Sequence, residues 1–375
     1  MYIFSVNGIN DLLQEVSRGI LKDGHSEAVD RENATDDMTL ELSPAVIEVH
    51  NPRSRILLYN NRNNNPFAQL FETIWVMSGS NDIEPLSYFL PRAIDWADNK
   101  KQWRAGYGAR LRNHVGLDDA QYGRFYDALV KHHSPICHYQ TGGLKVVDQI
   151  NYVVETLEAD RSSRRAVMSI WDPAKECTIG KSKDYPCSDW VQFIIRNNKL
   201  DCHVHLRSND LLWGLSNVNL YEWTYIQEVV ARVLNIDVGK YYHYATSLHV
   251  YNQYIDRIKK IAESTYVNYT GPYFPTLPDA LNVYACSEFI KKVSNLASMD
   301  TSRFMNSWNE NGIKDSEHLT YMAMYIASKK RTGEELKELL EFMFAYVEDT
   351  DMKIAARYYF MHSNNKAAKV EDALA

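Results

Sequence analysis

The amino-acid sequence predicts an α+β fold: a mixed, largely antiparallel sheet with helices packed on one face and a helical C-terminal elaboration. Three observations carry that expectation. Strand-like runs occupy the middle of the chain, an apolar helical run follows them at 220–234, and beyond about residue 279 the apolar spacing is helical.

Taken in order, Asn60-Asn61-Arg62-Asn63-Asn64-Asn65-Pro66 has nothing to bury and reads as an exposed loop. Phe67, Leu70, Phe71, Ile74 and Trp75 then recur at helical spacing, which places Glu72 toward the edge of an apolar face. A second helix is expected over 149–158, with Ile150, Val153, Val154 and Leu157 on one side. Runs 165–171 and 190–195 read as buried strands, and Asn197-Asn198 supplies a hairpin turn into 200–206. A helix at 220–234 and a strand at 241–251 follow. Leu336, Leu339, Leu340, Met343 and Phe344 form a later helical stripe, and residues 364–375 are small and polar.

Composition narrows the function. Lys and Arg total 41 against 48 Asp and Glu, a net charge of -7, and no basic stripe is interleaved with aromatics, so a nucleic-acid partner is not expected and any phosphate must be held locally. Mean hydropathy is -0.41 and no uncharged apolar stretch approaches the roughly 20 residues that span a bilayer, so a cytoplasmic chain without a membrane partner is expected. The five cysteines are widely spaced and form no CxxC pair, which argues against a disulfide framework and against a metal site.

Chemistry concentrates downstream of residue 160. In Asp184-Tyr185-Pro186-Cys187-Ser188 a cysteine follows proline at a strand entry, a rigid position that suits a nucleophile. Taken alone, Cys187 suits a small buried hydrophobe equally well. It is followed by Arg207-Ser208-Asn209-Asp210, then Gly214, Asn219 and His249-Val250-Tyr251, and preceded by Ser163-Arg164-Arg165. Paired arginines are usually a solvated face. Arg207 with Ser208 offers the other half of a dianion site, which favours a phosphate reading.

These segments, in this order and spacing, resemble the thymidylate synthase superfamily over about residues 26–256. The shared pattern is Ser-Arg-Arg, Pro-Cys with Gln192 five residues on, Arg-Ser-x-Asp-x-x-x-Gly, Asn, and His-x-Tyr. Upstream, Glu72-Thr73-Ile74-Trp75 resembles the family's Glu-x-x-Trp helix, and Trp96-Ala97-Asp98 with Gly106-Tyr107-Gly108 its next block. The resemblance implies a synthase-like catalytic domain at 1–265, with 266–375 a helical extension packed on it. It implies a homodimer with shared active sites acting on a pyrimidine nucleoside monophosphate, with 5,10-methylenetetrahydrofolate as co-substrate. By the same resemblance Cys187 is the nucleophile, Glu72 the acid that protonates the pyrimidine carbonyl, and Tyr107, Arg207 and Asp210 complete the catalytic set. Arg31, Arg164, Arg165, Gln192 and Ser208 join Asn219, His249 and Tyr251 around the nucleotide. Trp96, Asp210 and Gly214 face the folate. Arg164 and Arg165 reach the partner's phosphate, and Arg207 lowers the Cys187 thiol.

Asn219 lies one residue further from Gly214 than the family pattern has it, and Asn217 is a rival for its role. An amide there suits uracil, whereas cytosine-acting relatives carry Asp. Three departures bear on the product. Ser188 replaces a family His, Ala93 falls where synthases carry the first of two Trp residues, and the chain ends Val370-Glu371-Asp372-Ala373-Leu374-Ala375, without the apolar Pro-containing tail that closes over folate. These features look most like a phage-type deoxyuridylate hydroxymethylase, in which water adds to the activated methylene. The alternatives are thymidylate synthase, a cytidylate hydroxymethylase, or an inactive regulatory relative.

Overall fold

Strict alternation of buried and half-exposed residues builds the main sheet. The structure is a computed structural model and describes residues 1–28, 38–59, 62, 64–114, 140–141, 144–177, 179–300, 303–304, 308 and 312–363. Its strands are β1 (Tyr2–Val6), β2 (His25–Ala28), β3 (Met38–Leu42), β4 (Ala45–Val49), β5 (Gln140–Thr141), β6 (Leu144–Lys145), β7 (Val167–Ser169), β8 (Ser188–Arg196), β9 (Lys199–Leu206), β10 (Asn209–Asp210), β11 (Asp237–Ala245) and β12 (Leu248–Tyr251). A six-stranded sheet runs β1-β4-β11-β9-β8-β7 and a four-stranded one β10-β12-β3-β2. In the larger sheet β1/β4 and β9/β11 are parallel and the other pairs antiparallel. The α+β expectation holds.

Asn197 and Asn198, at φ 51° and 57°, make the β8–β9 hairpin, since asparagine tolerates the left-handed region a two-residue turn needs. Leu200, Cys202, Val204 and Leu206 point from β9 into the core, and the Leu220–Val233 helix packs on that face. The other face carries rings: Trp190 stacks on His205 at 3.7 Å, His203 on Tyr242 at 4.6 Å and His205 on Tyr244 at 4.3 Å.

Two strand expectations need correcting. Run 165–171 yields only β7, with Val167 and Ser169 exposed, because β7 is a sheet edge rather than a buried strand. Run 241–251 is two strands in different sheets: β11 ends at Ala245, Thr246 N donates to Leu206 O (3.0 Å), and β12 starts at Leu248 beside β3 and β10.

The Pro66–Met77 helix starts where the asparagine-rich loop ends, with Asn65 Oδ1 accepting from Ala68 N (3.1 Å) and proline at its first position. It is buried on every side, so Glu72 lies inside the protein rather than at an exposed edge. The cause lies in the C-terminal residues. Helices Glu317–Lys330 and Asp351–Ser363 bring Tyr321, Tyr325, Tyr359 and Phe360 around Phe67, with ring centroids 5.2 to 6.4 Å away. The Val283–Ser298 helix packs on the same element. Phe67→Ala should therefore cost about 3–5 kcal/mol, read as a shift of the denaturant midpoint.

Candidate active site

Cys187 sits at the mouth of β8, where a bulge between Ser188 and Trp190 interrupts pairing with β9 and turns the strand end. Arg207, the residue after β9, holds it in place: its backbone N donates to Cys187 O (3.0 Å) and its Nε to Pro186 O (2.9 Å). On the other side Ser188 N donates to Tyr107 Oη (3.0 Å). A buried ionic network anchors the loop below: Arg104 and Arg110 pair with Glu176, Arg104 donates to Asp184 O, and Asp184 Oδ2 accepts from Ala105 N (2.9 Å). Sequence reasoning missed this network, because its members are scattered from 104 to 184 and only Asp184 belongs to a motif. Burial pushes the Cys187 thiol above its ordinary value. Arg207 draws it down, and Asp184, Asp189 and Asp210 push it up again. The expected lowering by Arg207 therefore has the right direction but is outweighed by desolvation.

Glu72 is 6% exposed, its Oε2 has no hydrogen-bond partner, and burial pushes its carboxyl up to about 8. Tyr107 is set against the same helix by Gly108, where a Cβ would lie 2.7 Å from Val76 O and 2.8 Å from Ser80 O. The Tyr107 ring stacks on Trp223 at 5.6 Å, and burial pushes its phenol up. Glu222, beside Trp223, is a second buried carboxyl that sequence reasoning missed; a glutamate inside an amphipathic helix gives no signal of burial.

Asn219 Oδ1 accepts from Asn209 Nδ2 (2.7 Å), which fixes its amide. Gly214 makes this approach possible: a Cβ there would lie 2.5 Å from Asn209 Nδ2 and 3.0 Å from Asn219 Oδ1. The extra residue between Gly214 and Asn219 is absorbed by π-helical turns over Leu211–Asn219, which lead directly into the Leu220–Val233 helix. Asn217, the rival, lines a neighbouring cavity instead. Asp210 caps the π segment through Trp213 N, and its Oδ2 has no hydrogen-bond partner. β10 pairs with β12 so that Asp210 faces His249, whose Nδ1 lies 3.3 Å from Ser247 Oγ and whose ring is 5.4 Å from Tyr251.

The remaining residues divide. Arg207 is exposed and Ser208 half-buried at the end of β9. Arg164 and Arg165 are exposed before β7, and Gln192 Nε2 donates to Arg164 O (2.7 Å), so Gln192 holds the arginine loop. Arg31 lies outside the described residues. A cavity of about 260 Å³ is bounded by Glu72, Asp210, Leu90, Trp213 and two arginines, Arg62 and Arg257. Trp96 reaches it only through Trp213, whose ring is 5.2 Å away. Ala93 does not line this space. It is fully buried, and its carbonyl accepts from Trp103 Nε1 (2.9 Å), while Leu90 forms the wall instead.

The architecture matches the thermostable thymidylate synthase A from Bacillus subtilis at a TM-score of 0.56, over 74% of this chain and 91% of that one. Identity is 21%, so the match shows the fold. The thymidylate synthase family model matches residues 12–274, and the chain belongs to that family. It is similar to the deoxyuridylate hydroxymethyltransferase of Bacillus phage SP01, 31% identical over 281 residues, which are 74% of this chain and 67% of the relative. The enzyme of the same name from Pseudomonas phage M6 is 27% identical over 251 residues, 66% of this chain and 62% of the relative. The chain thus spans about two thirds of the length of these relatives.

Proposed function

We propose that the protein transfers a one-carbon unit to carbon 5 of deoxyuridylate through a Cys187 adduct, and that water completes the reaction to give 5-hydroxymethyldeoxyuridylate. The observation that carries this reading is the convergence of the rigidly held Cys187, Tyr107 and Arg207 with a buried, unpaired Glu72 beside a cavity. The hydroxymethyl product is supported by the phage relatives.

The cavity suits the co-substrate. Trp213 offers a ring face to a pterin, the unpartnered Asp210 Oδ2 accepts from its NH groups, and Arg62 and Arg257 suit a carboxylate tail. 5,10-methylenetetrahydrofolate supplies the one-carbon unit. The residues of the chain do the rest. Cys187 thiolate adds to carbon 6, Glu72 shares its proton with the carbonyl on which charge accumulates, and carbon 5 bonds to the one-carbon unit. Carbon 5 then gives its proton to water, its electron pair forms the double bond to the one-carbon unit, and the carbon–nitrogen bond to the folate breaks so that the folate leaves as tetrahydrofolate, its nitrogen protonated from water. Water then bonds through oxygen to the resulting exocyclic methylene and its proton passes to the Glu72 carboxylate. The electron pair returns through carbon 5 to expel the Cys187 thiolate. Arg207 and Ser208 bind phosphate from one subunit, Arg164 and Arg165 from a second, and His249 and Tyr251 hold the ribose hydroxyl. The ring-bearing face of the six-stranded sheet is the dimer surface.

Release of tritium from 5-tritiated deoxyuridylate with methylenetetrahydrofolate tests the class of reaction: an active enzyme releases it, and a regulatory relative does not. Gly214→Ala should lower that release about 10²-fold while leaving the fold intact, because it pushes Asn209 off Asn219. Asn219→Asp should shift preference toward deoxycytidylate, and a wild-type preference for deoxycytidylate would refute the assignment. Mixed dimers of Arg165→Ala and Cys187→Ala chains should recover one working site in two, and a failure to complement would count against a shared phosphate site.

A further inference from the structure

The asparagine-rich loop, which the reaction as written leaves unused, meets the cavity beside Glu72. Asn64, Gln69, Glu72 and Asn217 all line that cavity. Gln69 ties the loop to the π-helical segment: its Nε2 donates to Asn217 O (2.8 Å) and its Oε1 accepts from Asn64 Nδ2 (2.8 Å). These two bonds fix the direction of both side-chain amides. A backbone carbonyl only accepts, so Gln69 must turn its NH2 toward Asn217 O and its oxygen toward Asn64, and Asn64 must answer with its own NH2. The Asn64 oxygen is thereby left over. It is buried without a hydrogen-bond partner, as is Glu72 Oε2. Gln69 is 2% exposed and lies three residues before Glu72, so the two share one face of the Pro66–Met77 helix. Asp210 Oδ2 and Asn217 Oδ1 are also unpartnered, but they come from the wall that carries Trp213, the side proposed above for the pterin.

Two orphaned oxygens on the loop side of one cavity call for a small ligand with two hydrogens to donate, because a buried acceptor left unpaired is costly. Water has that shape. A water that attacks an electrophilic carbon must also keep a lone pair free, so it is best held through its hydrogens by acceptors, not by donors that would occupy its oxygen. We propose that Asn64 Oδ1, together with Glu72, holds the water that adds to the exocyclic methylene, and that Gln69 is the positioning residue that fixes the Asn64 oxygen. The water oxygen bonds to the methylene carbon and its proton passes to Glu72, as in the reaction above. No bond breaks at Asn64 or Gln69. The inference rests on the hydroxymethyl reading and adds to it the residues that place the nucleophile.

Two steps of a single turnover separate under this proposal, and their timing tests it. With enzyme in excess over 5-tritiated deoxyuridylate and methylenetetrahydrofolate saturating, tritium release reports loss of the carbon 5 proton, and quenched samples report the hydroxymethyl product. In the unmodified protein the two should rise together. In Asn64→Leu, which removes the acceptor, and in Gln69→Leu, which removes its brace, product should lag behind tritium by at least about tenfold, because the methylene forms and then waits for a water that is no longer placed. A purely structural role would slow both steps equally and leave no lag. If Gln69→Leu does not fold, Asn64→Leu decides alone, since Asn64 is half-buried in the loop ahead of the helix. Product that keeps pace with tritium in folded Asn64→Leu overturns the proposal. Failure of the hydroxymethyl reading would show separately, as thymidylate from the unmodified protein, and would remove the proposal with it.

Discussion

Cys187→Ala should form no covalent complex with 5-fluorodeoxyuridylate and methylenetetrahydrofolate, and its tritium release should fall by at least about 10³-fold. The carbonyls of Pro186 and Cys187 are both bound by Arg207, and Ser188 N by Tyr107, so the loop keeps its shape when the sulfur is removed. The other thiols among the described residues are poorly placed. Cys202 is fully buried in β9, where desolvation pushes its thiol well up, Cys286 is pushed up to about 12, and exposed Cys177 belongs to no motif. Labelling of any of these in place of Cys187 would refute the assignment.

Glu72→Gln should cost about 10²–10⁴-fold in turnover and at the same time stabilise the protein at neutral and alkaline pH. Burial raises the Glu72 carboxyl from an ordinary value near 4.5 to about 8, so the folded state binds this proton more tightly than the unfolded chain does. The corresponding stability is complete below pH about 4.5 and is lost as the pH rises to about 8. Removing the ionisable group should recover about 2–5 kcal/mol of it by pH 8, measured as an upward shift of the unfolding midpoint that disappears near pH 4. An equal midpoint shift at both pH values would mean that packing, not charge, is responsible.

The residues whose spacing depends on a single strand or turn were legible in the sequence. Pro186-Cys187 at the mouth of β8, Arg207-Ser208 at the end of β9 and His249-Val250-Tyr251 on β12 are local, and a period of two fixes their faces. What was hidden depends on segments distant in sequence. Gly214 reads as a folate contact in the motif, yet what it admits is the Asn209–Asn219 pair. Ala93 reads as a gap beside the reacting carbon, but a short helical turn and the Trp103 bond carry it into the core and leave Leu90 at the wall. The full enclosure of the Pro66–Met77 helix depends on Tyr321, Tyr325, Tyr359 and Phe360, more than 250 residues onward, packing around Phe67. Nothing in the local apolar pattern announces that cover, because it turns an amphipathic helix into one enclosed on all sides.

Mass analysis of the pyrimidine product, with the oxidation state of the released folate, tests the central claim most directly. The account predicts 5-hydroxymethyldeoxyuridylate carrying one oxygen from labelled water, with tetrahydrofolate released in equal amount. Thymidylate accompanied by dihydrofolate would contradict it.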